Sequence, residues 1–575
     1  MNRLIKYEKL IVIFFLAFIF ISVSSTMYFK NITPDELGET GAGITMLKNH
    51  EWVFRTGRMA PPLPFYLEAI PLSFYKFNES IWSLDHDLQR GIDIIYSEKG
   101  EQILYWIRFP FLLLSLLLAF YVYKWAKELY GIKAGFLALL LYSFNPMILA
   151  TSNISNQDMI ATTFIFIAFY YFWRYIKDST KSSLIIAAIT FGLAQLSKFT
   201  ALILIPLFIL IGLFVIYQKR MKFSKMIFSL FIIFLVGFLM VWASYGFETK
   251  TLSKSIPESR YDRVYDKLNE ILPENEFIKN KAFYIIENIP VPLSSYFYNI
   301  GVLHEFISHG FSSFFMGKYF IEGLSYFYIV SFVIKSPIPL LILILLSTIF
   351  FNKIKSKDLM GEYFLIIFIA SYFIYWSLIS NLSAVFRHML PTFPFIFVFA
   401  SKIVNLNFKN FRLKYYFRIF IILLIIWYVL SSILIYPHYL AYFNEFVGGP
   451  NNGYKYMVDS NLDWGQDLKG LKQYMVKNNI GHIKLSYFGA GSVEYYNISY
   501  TYLPSPLNVS FFKPPEGYAE KCGYTEGLFA VSATNLQGLY LENRSCYNWL
   551  KEYESIDKIG YSIFVYNISS NKTYS

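Results

Sequence analysis

Cysteine is nearly missing from this chain: Cys522 and Cys546 are the two present in 575 residues. That excludes a thiolate-bound metal cluster and a disulfide-dense scaffold, and leaves one bond or two free thiols open. Charged residues are scarce as well, at 16%, where an ordinary soluble domain carries about 25%. No Walker A run and no convincing Gly-x-Gly-x-x-Gly fingerprint occurs, so no loop offers itself to cradle a nucleotide, and no nucleotide cofactor is expected.

What is present is apolar and aromatic, 55% and 20% of the chain, a composition that places it among membrane proteins. A spanning helix needs about 20 mostly apolar residues. Candidate spans begin near Leu10, Leu104, Ala134, Met159, Leu184, Thr200, Met226, Ser325, Tyr363, His388 and Ile419. The expected fold class is therefore mainly α and polytopic, with about eleven transmembrane helices. The first 25 residues also read as a signal peptide, but the apolar run from Leu10 to Phe29 is long enough to cross a membrane.

The formal net charge of +12 would suit nucleic acid if it formed one patch. It does not; lysine and arginine gather in alternate short connections, among them Lys124, Lys127 and Lys133, then Lys219, Arg220, Lys222 and Lys225, then Lys409, Arg412 and Lys414. Nucleic acid is not an expected partner. The positive-inside rule makes these connections cytoplasmic, puts the N-terminus inside a plasma membrane and leaves the C-terminal segment outside. Asparagine sequons at Asn31, Asn78, Asn153, Asn381, Asn497, Asn508, Asn543, Asn567 and Asn571 all fall on the predicted outer side, as does the cysteine pair.

Two domains follow: residues 1–437, with external loops at about 30–103 and 247–323, and an extracytoplasmic α/β domain over 438–575. Within the first loop, amphipathic stretches from Gly41 to Trp52 and Pro64 to Tyr75 predict short interfacial helices. In the second domain, Leu468 to Val476 and Asn548 to Tyr553 read as helices, and His482 to Tyr487, Gly527 to Ser532 and Tyr561 to Tyr566 as strands.

Ionisable residues at membrane depth are costly and so mark candidate sites. Asp35 and Glu36 stand just past the first span, a carboxylate pair at a membrane mouth. Asp158 opens an apolar helix, where it serves either chemistry or helix capping. Lys198, and Arg387 with His388, are basic exceptions on the predicted outer side, suited to a phosphate head group; snorkelling is the competing account of Lys198. Carboxylates and cations on one membrane face suit displacement of a phosphate leaving group, with a carboxylate taking the acceptor proton or holding a divalent cation. With no nucleotide motif, the donor is expected to be lipid-borne. The run Asp459 to Asp467 superficially resembles a calcium loop, but Trp464 occupies the required glycine position and Gly470 the closing glutamate position. A turn that orients the outer domain is the favoured reading over a metal or ligand site.

In order along the chain, Thr33-Pro34-Asp35-Glu36, Pro61-Pro62-Leu63, Gln157-Asp158, Leu196-Ser197-Lys198, His309-Gly310, Lys335-Ser336-Pro337, Arg387-His388-Met389-Leu390-Pro391 and Tyr442-Phe443-Asn444-Glu445 through Asp467 resemble GT-C glycosyltransferases. The type is that of the protein O-mannosyltransferases and aminoarabinose transferases, in its prokaryotic phospholipid-carrier-dependent branch. The resemblance implies a GT-C fold and the inverting transfer of one sugar from a dolichyl or undecaprenyl phosphate to a protein, lipid or glycan acceptor on the outer face. It implies catalytic roles for Asp35, Glu36 and Asp158, and contacts to lipid phosphate or substrate from Lys198, His309 and Arg387. A divalent cation on Asp35, Asp158 and His309 belongs to the same set of expectations. Where the family carries His or Glu-Lys before the Pro-Pro pair, this chain has Met59-Ala60, with Arg58 as the candidate substitute.

Competing readings are an oligosaccharyltransferase moving a whole glycan and a secondary transporter. The first would usually show Trp-Trp-Asp, and no two tryptophans are adjacent here. The second places charges near mid-membrane rather than at outer helix ends, and carries little external mass.

Overall fold

The computed structural model describes residues 6–49, 60–77, 81, 86–308, 310–380, 382–506, 514 and 522–569. Nine of the eleven expected span starts fall on apolar helices, and the other two, Ser325 and His388, lie two and four residues before one. Seven are long enough to cross a membrane alone: Glu8–Phe29, Gly100–Tyr130, Gln157–Asp178, Phe199–Tyr217, Phe223–Ser244, Leu359–Ile379 and Phe411–Ile433. Two more are bent pairs, Ile132–Ser143 with Pro146–Ser152 at 61° and Phe327–Lys335 with Ile338–Ile349 at 113°. The remaining two, Lys181–Gln195 and Thr392–Asn405, are apolar but shorter. The chain is thus a multi-pass helical membrane protein.

Both bends have a local cause. Proline lacks an N–H and disfavours helix in the residue before it, so Asn145-Pro146 and Ser336-Pro337 each end one helix and start another. The Asn145 side chain then caps the second segment, accepting from the Met147 and Ile148 amides at 3.1 Å each.

The chain divides into two compact units. One comprises residues 46–66 and 160–309. In it Gly192 and Gly237 let the Lys181–Gln195 and Phe223–Ser244 helices approach closely; a Cβ on Gly237 would lie 2.6 Å from the Phe191 ring. Its 247–309 portion contains the helices Tyr261–Ile271, Glu276–Asn288 and Ser294–Ser308.

The other unit comprises residues 1–45, 67–159 and 310–575. The expected interfacial helices form as Pro34–Asn49 and Leu63–Leu72, and of these residues 34–45 and 67–72 belong to this unit. Residues after 480 build a five-stranded sheet in the order Tyr500–Tyr502, Ile483–Ser486, Gly527–Ser532, Ile563–Ile568, Asp557–Ile559. The first two joins are parallel and the last two antiparallel. The Leu468–Lys477 helix buries Leu468, Leu471 and Met475 against Ile483, Leu485 and Tyr487, each such side chain contributing about 1.5–3 kcal/mol. The expected helices and strands appear within two residues of their sequence positions, the 548–552 segment as a 3-10 turn. Tyr500–Tyr502 and Asp557–Ile559 are additional short strands. Cys522 and Cys546 are joined as a disulfide.

The sequons differ in accessibility. Asn31 and Asn153 are buried, with Asn31 holding the Leu468 amide and the Gly465 carbonyl, so neither is an acceptor for a glycan. Asn497, Asn543 and Asn567 are exposed, while Asn78, Asn381, Asn508 and Asn571 lie outside the described residues.

Candidate active site

The Pro34–Asn49 helix starts four residues beyond the first span, so its opening turns carry Asp35, Glu36 and Glu39. Adjacent in sequence, Asp35 and Glu36 point into opposite surroundings. Glu36 is fully buried. Its Oε1 accepts from Arg108 Nε at 2.7 Å and the Ser155 amide at 3.0 Å. Its Oε2 accepts from Arg108 Nη2 at 2.8 Å, the Thr33 amide at 2.9 Å and the Thr33 hydroxyl at 3.0 Å. Arg108 also donates to the carbonyls of Met27, Lys30 and Asn31. With five donors on its two oxygens, Glu36 has no capacity left for a substrate proton. Glu36 is thus a clamp that joins the end of the first span, the Asp35 turn and the Ser155 loop, a position that supports Asp35.

Asp35 is 44% exposed and its Oδ2 accepts from Arg387 Nη2 at 2.8 Å. Asp158 Oδ2 lies 3.6 Å from Nε of the same guanidinium, with its side chain only 5% exposed. The capping role that competed for Asp158 is taken by Asn156, whose Oδ1 accepts the Asp158 and Met159 amides at 2.9 and 3.2 Å. Three sequence-expected site residues, Asp35, Asp158 and Arg387, thus converge on one point.

Arg387 is held there by groups far away in sequence. Its guanidinium lies 3.9 Å from the centre of the Trp464 ring, a flat cationic stack of the kind arginine forms. Burial disfavours its charge, but Asp35 and Asp158 more than offset that and hold its pKa above the ordinary value. The turn carrying Trp464 grips the Arg387 segment through Asn461, which donates to the Ala384 carbonyl at 2.7 Å and accepts the Phe386 amide at 2.8 Å. Lys335 secures the turn from beneath, donating to the carbonyls of Asn461 at 2.6 Å and Leu440 at 2.8 Å. Beside Arg387, His388 stacks on Trp376 at 4.6 Å.

The carboxylates of the 459–467 turn are engaged with protein donors, in keeping with the favoured reading of a structural turn. Asp459 accepts from the Tyr540 hydroxyl, Asp463 from the Thr534 amide at 2.9 Å, and Asp467 from Lys30 and from the Ser562 hydroxyl at 2.7 Å. Burial pushes the Asp463 pKa up to about 7. Burial also acts upward on Asp467, yet Lys30 and His438 hold it at about 2. Gly465 sits at φ +74°, where a Cβ would come within 2.4 Å of Gly489 Cα, so the tight turn requires glycine.

Two further acids stand behind the clamp and were missed in the sequence. Glu68 is fully buried and accepts from the Thr40 hydroxyl at 3.1 Å and from the Ser155 hydroxyl. Glu39 accepts from Gln157 at 3.1 Å. Helical spacing of Glu36 and Glu39 was the available signal for Glu39; Glu68 offered none beyond being an acid in an apolar run.

Lys198 belongs to the other unit, where it precedes the short helix Phe199–Ile203 and its carbonyl accepts the Ala201 amide at 2.9 Å. Arg58 and His309 lie outside the described residues. Among the described residues no group of three or more His, Cys, Asp or Glu side chains is placed to hold a metal ion. Asp35 and Asp158 do approach each other, but the Arg387 guanidinium fills the position between them, so a bridging cation does not fit this arrangement.

Residues 101–244 match the family model described as dolichyl-phosphate-mannose-protein mannosyltransferase. That segment, a quarter of the chain, agrees with the resemblance seen in the sequence and contains its Gln157-Asp158 and Leu196-Ser197-Lys198 motifs. No curated protein matches. Among solved structures, the chain is similar to ArnT from Cupriavidus metallidurans bound to undecaprenyl phosphate, at 9% identity over 96% of this chain and 97% of that one, with a TM-score of 0.46. It is also similar to the Archaeoglobus fulgidus oligosaccharyltransferase in the apo form, at 12% identity over 73% of this chain and 55% of that one, TM-score 0.41.

Proposed function

We propose that this protein is an integral-membrane glycosyltransferase that moves one sugar, with inversion, from a polyprenyl phosphate to an acceptor on the outer membrane face. The observation that carries the reading is the half-exposed Asp35 carboxylate set against a buried arginine that a second carboxylate and a tryptophan hold in place. Arg387 is a rigid, permanently charged donor fork of the type that binds phosphate. Asp35 is the accessible acid beside it.

In the reaction the acceptor's hydroxyl or amine attacks the anomeric carbon. The bond from that carbon to the phosphate oxygen breaks, the lipid phosphate leaves with the electron pair, and the acceptor proton passes to Asp35. Arg387 stabilises the departing phosphate oxygens. Since Arg387 pairs with Asp35 before the donor binds, a phosphate competing for the guanidinium also frees Asp35 to act as base. Asp158 keeps Arg387 aimed. Lys198, Arg58 and His309 are assigned to the donor phosphate on sequence grounds, and the basic connections support a cytoplasmic N-terminus with residues 438–575 outside. The description of the matched family makes mannose the first sugar to test and protein the first acceptor.

The test is to supply purified protein with radiolabelled polyprenyl-phosphate sugars. The wild type is expected to consume one of them, and Asp35→Asn to insert and fold normally while transferring nothing. Retained turnover by that variant removes Asp35 from the chemistry.

A further inference from the structure

Along the Gly100–Tyr130 span, Gln102, Trp106, Phe109, Leu113 and Leu117 line one side of a groove of about 1160 Å³. Their spacing puts them on one helical stripe, about 22 Å long from end to end at 1.5 Å per residue. Ile70 and Phe74 form part of the opposite wall. The walls are openly apolar: Phe74 is 84% exposed and Ile70 57%. The polar lining residues are Tyr75, Lys76, Lys99 and Gln102, of which Lys99 and Gln102 stand at one end, at the start of the span. That end lies toward the start of the span, the same end from which Arg108 reaches Glu36, so the cationic mouth and the carboxylate site share one membrane face.

We propose that this groove binds one acyl chain of an anionic membrane phospholipid, with its phosphate between Lys76 and Lys99. The length suffices for a lipid of the same leaflet, whose chains reach about half-way through the roughly 30 Å hydrocarbon core. The charge supports an anionic head, since paired lysines at headgroup depth attract anionic lipids over zwitterionic ones. Trp106 stands near the mouth, at the level where tryptophan prefers to lie. The occupant also bears on the site: the wall helix turns Leu67 and Ile70 to the groove and Glu68 to Thr40 and Ser155, so a seated chain braces the element that holds those partners. This inference needs only the membrane setting of the chain and stands apart from the transfer reaction.

The probe is Trp106 fluorescence in the full-length protein in detergent, isolated by subtracting the emission of Trp106→Phe. Phosphatidylglycerol with a brominated chain is expected to quench that emission at several-fold lower concentration than brominated phosphatidylcholine. The preference should vanish in the Lys76→Gln, Lys99→Gln double variant, whose changes fall on exposed side chains. Equal quenching by both lipids, or a preference that survives the double substitution, overturns the proposal. So does displacement of the brominated lipid by an unlabelled polyprenyl phosphate but not by excess phosphatidylglycerol, which would give the groove to the carrier.

Discussion

Replacing Glu36 by Gln separates a clamp from a catalyst. The substitution keeps size and shape but removes the charge opposite Arg108, whose side chain, like that of Glu36, is 0% exposed. Breaking a buried ion pair by removing one partner costs about 3–5 kcal/mol, because the remaining charge is left uncompensated. In addition, the new amide group is itself a donor, and it must face one of the five donors that now converge on the carboxylate. The folding equilibrium should therefore shift by two to four powers of ten, at roughly 1.4 kcal/mol for each. Thermal unfolding of detergent-purified protein, followed by intrinsic fluorescence, should show a large drop in midpoint. Replacing both partners with apolar residues, Glu36→Leu with Arg108→Met, should not recover it, because the Thr33 and Ser155 donors and the carbonyls of Met27, Lys30 and Asn31 lose their buried partners. A Glu36→Gln protein that melts with the wild type yet transfers no sugar would refute the clamp and return Glu36 to the chemistry.

Other outcomes follow from the same geometry. Trp464→Leu removes a desolvated cation–π contact worth about 2 kcal/mol and should raise the donor KM roughly 30-fold, with partial rescue by Trp464→Phe. Asp463, with a folded pKa near 7 against about 3.9 when unfolded, retains a proton that the unfolded chain gives up. Its contribution to stability is accordingly full below pH 4 and lost as pH rises toward 7; Asp463→Asn should flatten that decline in a stability–pH profile. Chelation should leave sugar transfer intact, since Arg387 supplies the positive charge between Asp35 and Asp158; loss on EDTA with recovery on a divalent cation would mean that the guanidinium swings away in the working enzyme.

Hydropathy made the apolar helices legible to within a few residues of their starts, because the bilayer demands a continuous apolar run; seven of them, or nine with the bent pairs, are long enough to span. It could not distinguish straight spans from bent ones, although Asn145-Pro146 and Ser336-Pro337 carried that information in their proline geometry. Asp35, Asp158 and Arg387 were legible as charge out of place. Glu36 could not be told from Asp35 in the sequence because the two share the same chemistry, and only the position of Arg108, 72 residues on, separates them. Trp464 was read against a calcium-loop template, in which it is merely the wrong residue; its partner comes from a segment the template does not contain. Buried Asn31 shows the same limit, since a sequon records local sequence while its accessibility is set by Gly465 and Leu468.

Asn461 and Trp464 have a bearing on how the protein matures. Arg387 is synthesised long before the turn that seats it, and that turn is itself tied to Thr534 and Ser562 near the end of the chain. At about 5–20 residues per second, the nascent polypeptide spends many seconds with its spans made and its arginine unseated. On the proposed mechanism a half-built copy is therefore expected to transfer no sugar until the turn has seated the guanidinium.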